Sequence, residues 1–80
     1  MRYQFIKHNK TSSRVLGIFA TVEEVKKAVA LKKLRYEGRS YIGGFPTFTD
    51  DQRKTYSVQG MADGFNIVCS LPERDAEAFA

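Results

Sequence analysis

The chain reads as an α+β fold: a small antiparallel β-sheet in β-β-α-β-β order, with one long helix packed on one face and a short C-terminal helical turn. Three observations point there. Residues 17–24, GIFATVEE, carry an apolar strand straight into a helix start. There the Thr21 hydroxyl can accept from the Glu24 N–H while the Glu24 side chain reaches back to the Thr21 N–H, a capping box. Phe65, Ile67, Cys69 and Leu71 alternate with Asn66, Val68 and Ser70, the period of a strand with one buried face. Turn-forming clusters, Asn9 to Ser13 and Gly60 to Gly64, separate neighbouring strand patterns at hairpin length.

Taken in order, residues 2–8 form the first strand, with Tyr3 and Phe5 on one face and Gln4, Ile6 and His8 on the other. Residues 14–20 form the second. Leu16, Ile18 and Ala20 oppose Val15, Gly17 and Phe19, so both faces are largely apolar and a central position is expected. Gly17 leaves room for a neighbour to approach closely. The helix opens at Val22, with Glu23 and Glu24 at the positive end of its dipole. Val22, Val25, Ala28, Val29 and Tyr36 fall in one arc of about 120°. Lys32 falls inside that arc, and Leu31 and Leu34 fall outside it. The helix therefore either ends near Leu31 or continues, and the helix-forming run at 30–35 favours continuation to about Arg35, with Gly38 as the stop. Two glycines and Pro46 mark 39–51 as a loop with aromatic contacts, Tyr41–Ile42 being at most a short strand. Residues 54–59 are the third strand. Asp63–Gly64 suits the following turn, and 65–71 is the fourth strand, its apolar face against the helix. Pro72 ahead of Glu73 and Asp75 opens a final helical turn.

Eighty residues support one small domain. No apolar run reaches the length of a membrane span, and the first residues lack the apolar stretch of a signal peptide. With Cys69 as the sole cysteine no internal disulfide forms, and a reducing, cytoplasmic setting is expected. Residues 1–40 hold six Lys and four Arg against three Glu, a charge of +7; residues 41–80 hold two Arg and one Lys against four Asp and two Glu, a charge of −3. Such a dipole suits an acidic protein surface or nucleic acid if it survives folding; otherwise the two sets are solubilising charge that mixes in space.

The chemistry-bearing residues are few. The single His8 and the single Cys69 lie in separate strands, and Cys69 belongs to an apolar face, which favours a buried, inert thiol over a nucleophile–base pair. Asp50, Asp51 and Asp63 lack the spacing of a calcium loop, one His and one Cys cannot build a structural zinc site, and no phosphate-cradling glycine motif occurs. No enzyme, cofactor or metal is expected. The leading expectation is a non-enzymatic binding protein that contacts a protein partner with an acidic surface. Accessory and inhibitory factors of phage type share its size and class, an analogy only. The candidate surface is Lys27, Leu31, Lys33, Leu34, Arg35, Arg39, Tyr41 and Phe45: apolar anchors at the two leucines inside a cationic rim. Direct nucleic-acid binding is the second reading, because cations and aromatics interleave over 26–48. Homo-oligomerisation through an edge strand is the third.

Overall fold

In the computed structural model, which describes residues 1–62 and 67–80, the elements run β1 (Arg2–His8), β2 (Ser13–Phe19), α1 (Val22–Leu31), β3 (Arg35–Arg39), β4 (Pro46–Thr49), β5 (Thr55–Ala62), β6 (Ile67–Cys69) and α2 (Glu73–Glu77). The six strands form one antiparallel sheet in the order β2-β1-β5-β4-β3, with β6 pairing the far half of β5. The architecture is α+β, as expected. It differs from the expected order by two further strands, β3 and β4, which replace the end of the long helix and the aromatic loop.

Register explains the core. Tyr3 and Phe5 oppose Gly60 and Val58 on β5, Phe48 opposes Tyr56, and Tyr36 opposes Phe48. Directly opposed residues share a sheet face. These aromatics therefore line one face, and α1 covers it with Val25 and Val29 while Leu71, Ala76 and Phe79 close it from the C-terminal end. The rings meet at offset angles that suit their quadrupoles: Phe5–Tyr56 at 5.7 Å, Tyr36–Phe48 at 5.6 Å, and Phe48–Phe79 edge-on at 6.1 Å. The Thr21 cap is formed, its hydroxyl accepting from the Glu24 N–H at 3.3 Å. A bulge in β2 sets Leu16 and Gly17 against a single step of β1, and Leu16 packs toward the core. At Gly17 a Cβ would lie 2.8 Å from the Phe19 ring, so the missing side chain is what lets Phe19 fold back over its own strand.

Several expectations are corrected. The helix is ten residues, not long; it ends at Leu31, and Lys33 turns the chain with φ 55°. Continuing would have carried Lys32 into the core arc, where its ammonium would lose water. The turn instead changes the period from helix to strand, so Leu34 and Tyr36 pack on the core while Arg35 and Glu37 face out. Gly38 is a β-bulge at φ 94° within β3, not a helix stop. β2 is an outer strand rather than a central one, with Val15 and Ile18 about half exposed. The fourth expected strand shrinks to β6. Ile67 is 58% exposed and Cys69 half-buried, so of its expected core face only Leu71 is buried among the described residues. The reason is position: β6 pairs only the last residues of β5, beyond the reach of α1. Phe65 and the Asp63–Gly64 turn lie outside the described residues.

Two outcomes test this packing. Leu31 is 84% exposed whereas Leu34 packs on the core. In reversible denaturation Leu31→Ser should change stability by less than about 0.5 kcal/mol and Leu34→Ser should cost about 1–3 kcal/mol; equal costs would contradict the break at Lys33. Second, burial and then the hydrogen bond from the Tyr3 hydroxyl to Asp75 (2.7 Å) push the Tyr3 phenol up to about 12. A phenol raised above its unfolded value near 10 adds stability that is complete below about pH 10 and lost as pH rises toward about 12. Tyr3→Phe should remove a pH-dependent contribution of about 2 kcal/mol over that interval. An unchanged stability slope between pH 10 and 12 would show that Tyr3 is not so held.

Candidate functional site

One row of paired residues crosses the whole sheet: Ser13, His8, Thr55, Thr49 and Arg35 stand side by side on β2, β1, β5, β4 and β3. Beyond that row lie three connections, residues 9–12, 32–34 and 50–54. This end of the molecule gathers Lys7, Lys10, Arg14, Lys32, Lys33, Arg35, Arg53 and Lys54 against Glu37, Asp50 and Asp51. The opposite end holds the start of α1 and α2, where Glu23, Glu24, Glu73, Asp75 and Glu77 outnumber Arg2, Arg39 and Arg74. The charge asymmetry along the chain thus persists in space as a basic end and an acidic end.

The acids at the basic end are largely engaged. The Glu37 carboxylate accepts from Arg35 Nε and from the Thr49 hydroxyl, both at 3.0 Å, which holds it below the usual carboxylate range. Asp50 accepts from the backbone N–H groups of Lys54 and Gln52, both at 2.9 Å, and from the Tyr56 hydroxyl at 3.0 Å; the Lys54 bond does most to hold its carboxyl below the usual carboxylate range. That carboxylate organises the β4–β5 turn, closed by Asp50 N–H to Lys54 O and Arg53 N–H to Asp50 O. Lys7 is occupied as well, its ammonium lying 5.7 Å from the Tyr56 ring centre. Among the described residues, Lys10, Lys33, Arg53 and Lys54 make no ion pair. Two clefts open here. One, of about 710 Å³, is lined by Lys33, Arg35, Arg53 and the three acids; the other, of about 370 Å³, by Lys10, Arg53 and Lys54 with His8, Thr55 and two side-chain amides.

The structure divides the residues singled out from sequence. Lys27 and Leu31 are exposed on α1, and Lys33 and Arg35 stand at the basic end. Leu34 packs on the core and is no second anchor beside Leu31. β3 carries the chain away, so Arg39, Tyr41 and Phe45 follow from its other end, about 13 Å of strand from Arg35. There Arg39 donates to Glu73 at 2.7 Å and to the Gly44 carbonyl at 3.0 Å. Tyr41 is fully exposed and Phe45 half-buried. Cations and aromatics that alternate in sequence are therefore parted in space. The loop does not cover the leucines.

Lys10, Arg53 and Lys54 are the residues sequence reasoning missed. Arg53 and Lys54 follow Asp50–Asp51 in the acidic half of the chain, and only the register of β5 brings them beside Lys10. His8 and Cys69 lie on opposite faces, since Cys69 pairs Gly60 on the helix-covered side. His8 Nε2 instead meets the Ser57 hydroxyl at 2.7 Å and Nδ1 meets the Ser13 hydroxyl at 3.2 Å, joining three strands on the other face. Ser57 is only 4% exposed, which makes this contact a satisfied buried polar group. No helix among the described residues is long and apolar enough to cross a membrane. Comparison of the chain with protein-family models, with curated proteins and with solved structures gave no match.

Proposed function

We propose that this chain is a non-enzymatic binding protein whose basic end docks on the acidic surface of a protein partner. The observation that carries the reading is the convergence of unneutralised Lys10, Lys33, Arg53 and Lys54 from three separate connections onto one end of the sheet. A field of one sign on one face speeds encounter with an oppositely charged partner and orients it, because the acidic end is repelled. Nucleic acid is the weaker alternative. Single strands are held by phosphate contacts together with base stacking, and neither cleft at the basic end has a Phe or Tyr in its lining, the His8 imidazole being the one ring there. The segment that supplies Tyr41 and Phe45 leaves from the other end of β3, and Phe45 shares a separate cleft with His8 and Thr55 on the sheet face away from the helices. Leu31, exposed where α1 ends, is the nearest apolar anchor.

The reading is tested by affinity capture from native extract, with Lys10→Glu, Lys33→Glu and Lys54→Glu combined as the control. All three side chains are exposed, so the variant should keep its fold. The captured protein should bind the parent chain with an association rate at least about 10-fold above that of the triple variant at low salt, the gap closing as salt rises. Equal association rates would refute docking through this end. Capture abolished by nuclease, with a steep salt dependence of affinity, would favour the nucleic-acid alternative.

A further inference from the structure

We infer that the smaller cleft at the basic end, between the β1–β2 connection and the β4–β5 turn, binds a phosphate monoester carried by a phosphorylated side chain of the protein partner. This rests on the reading of the basic end as a docking surface and names its anchor. Three observations meet there. First, the cleft, of about 370 Å³, is lined by Lys10, Arg53 and Lys54 with the amides Asn9 and Gln52, His8 and Thr55, and by no carboxylate. Two ammonium groups and a guanidinium offer donors on several sides, the arrangement that a compact dianion with three acceptor oxygens demands. Second, the turn presenting Gln52, Arg53 and Lys54 is organised before any ligand arrives, because the Asp50 carboxylate ties down two of its N–H groups and the Tyr56 hydroxyl. Third, Arg53 stands at φ 65° and Lys33 at φ 55°, the only left-handed residues other than glycine among the described ones. Glycine or asparagine would take that backbone with less strain. Both positions carry cations instead, and both line the larger cleft, with Arg53 shared between the two. The two turns meet at the larger cleft and Arg53 alone reaches the smaller one, so the strained backbone that bears on the phosphate site is that of Arg53.

The surroundings select the anion. Glu37, Asp50 and Asp51 line the adjoining cleft and oppose an extended polyanion running past Arg53, whereas a single phosphate fits the acid-free side. A glutamate side chain brings one charge and two oxygens where a phosphate monoester brings nearly two charges and three oxygens, so the site discriminates between them.

The probes are a short phosphoserine peptide, the same peptide with Glu in place of phosphoserine, inorganic phosphate and a single-stranded oligothymidylate, each titrated while backbone amide resonances are followed. The phosphoserine peptide and phosphate should saturably shift the amides of residues 9–10 and 52–54, and the Glu peptide should bind at least about 10-fold more weakly. Arg53→Asn is the decisive variant, because asparagine accepts the left-handed backbone. It should keep or raise the melting temperature and weaken phosphopeptide binding at least about 10-fold. Absence of saturable shifts, or shifts that Arg53→Asn leaves unchanged, would overturn the inference. So would an oligothymidylate that binds more tightly than the phosphopeptide. Equal affinity for the Glu peptide would overturn it while leaving the docking reading intact. That reading fails separately if the captured partner ignores the Lys10, Lys33 and Lys54 reversals.

Discussion

The position of β5 is the constraint on which the remaining structure depends. It is the central strand of the order β2-β1-β5-β4-β3, paired with β1 over its length on one side and with both β4 and β6 on the other. Its Tyr56 and Val58 are buried under the helices, while Ser57 is buried on the opposite face. A slip of one residue would exchange those faces and bring the two aromatic-lined neighbours, β1 and β4, out of step together. Because β1 and β4 take their registers from it, β5 also decides which connections meet. The row through His8, Thr55 and Thr49 is what brings the β1–β2 connection and the β4–β5 turn to the same end.

The charge distribution follows from that placement combined with the direction of α1. The helix starts at the acidic end, where Glu23 and Glu24 suit the positive end of its dipole; its last turn carries no basic residue, and Lys32 and Lys33 follow it at the basic end. Tyr3 and Asp75 join the sheet to α2 at the acidic end, and Asp50 and Tyr56 close the turn at the basic one. Each tyrosine hydroxyl reaches a carboxylate at the edge of the core. Burial, and then the carboxylate partner, raises both phenols above their ordinary range. The two ends are thus secured by similar interactions while carrying opposite charge.

Local signals with a strong physical cause were legible in the sequence. The Thr21 cap, the Val25–Val29 stripe, the first hairpin and the close approach at Gly17 all depend on residues near one another in the chain. What was hidden depended on distant pairing. Residues 35–39, RYEGR, have neither the β-branched content of a strand nor a clean alternation, and they become β3 only because β4 offers an edge and Gly38 absorbs a bulge. The run at 30–35 has good helix propensity, yet the cost of carrying Lys32 into the core arc outweighs it. The strict alternation around Ile67 misled for a related reason: alternation states that faces differ, not that a helix is present to cover one of them. At the candidate site, Lys33 and Arg35 were legible because they lie in an obviously basic stretch. Arg53 and Lys54 were not, because their neighbours in sequence are Asp50 and Asp51 while their neighbours in space include Lys10.

The central claim, that folding turns a charge asymmetry along the chain into two opposed ends, is tested most directly by mapping the near-surface potential residue by residue. Relaxation enhancement of amide protons by a cationic and by an anionic paramagnetic cosolute, at low salt, reports that potential. Strong preference for the anionic probe is expected at residues 9–12, 32–34 and 51–54, and preference for the cationic probe at 73–77 and at the start of α1. A potential of uniform sign over the surface, or a positive maximum around α2, would contradict it.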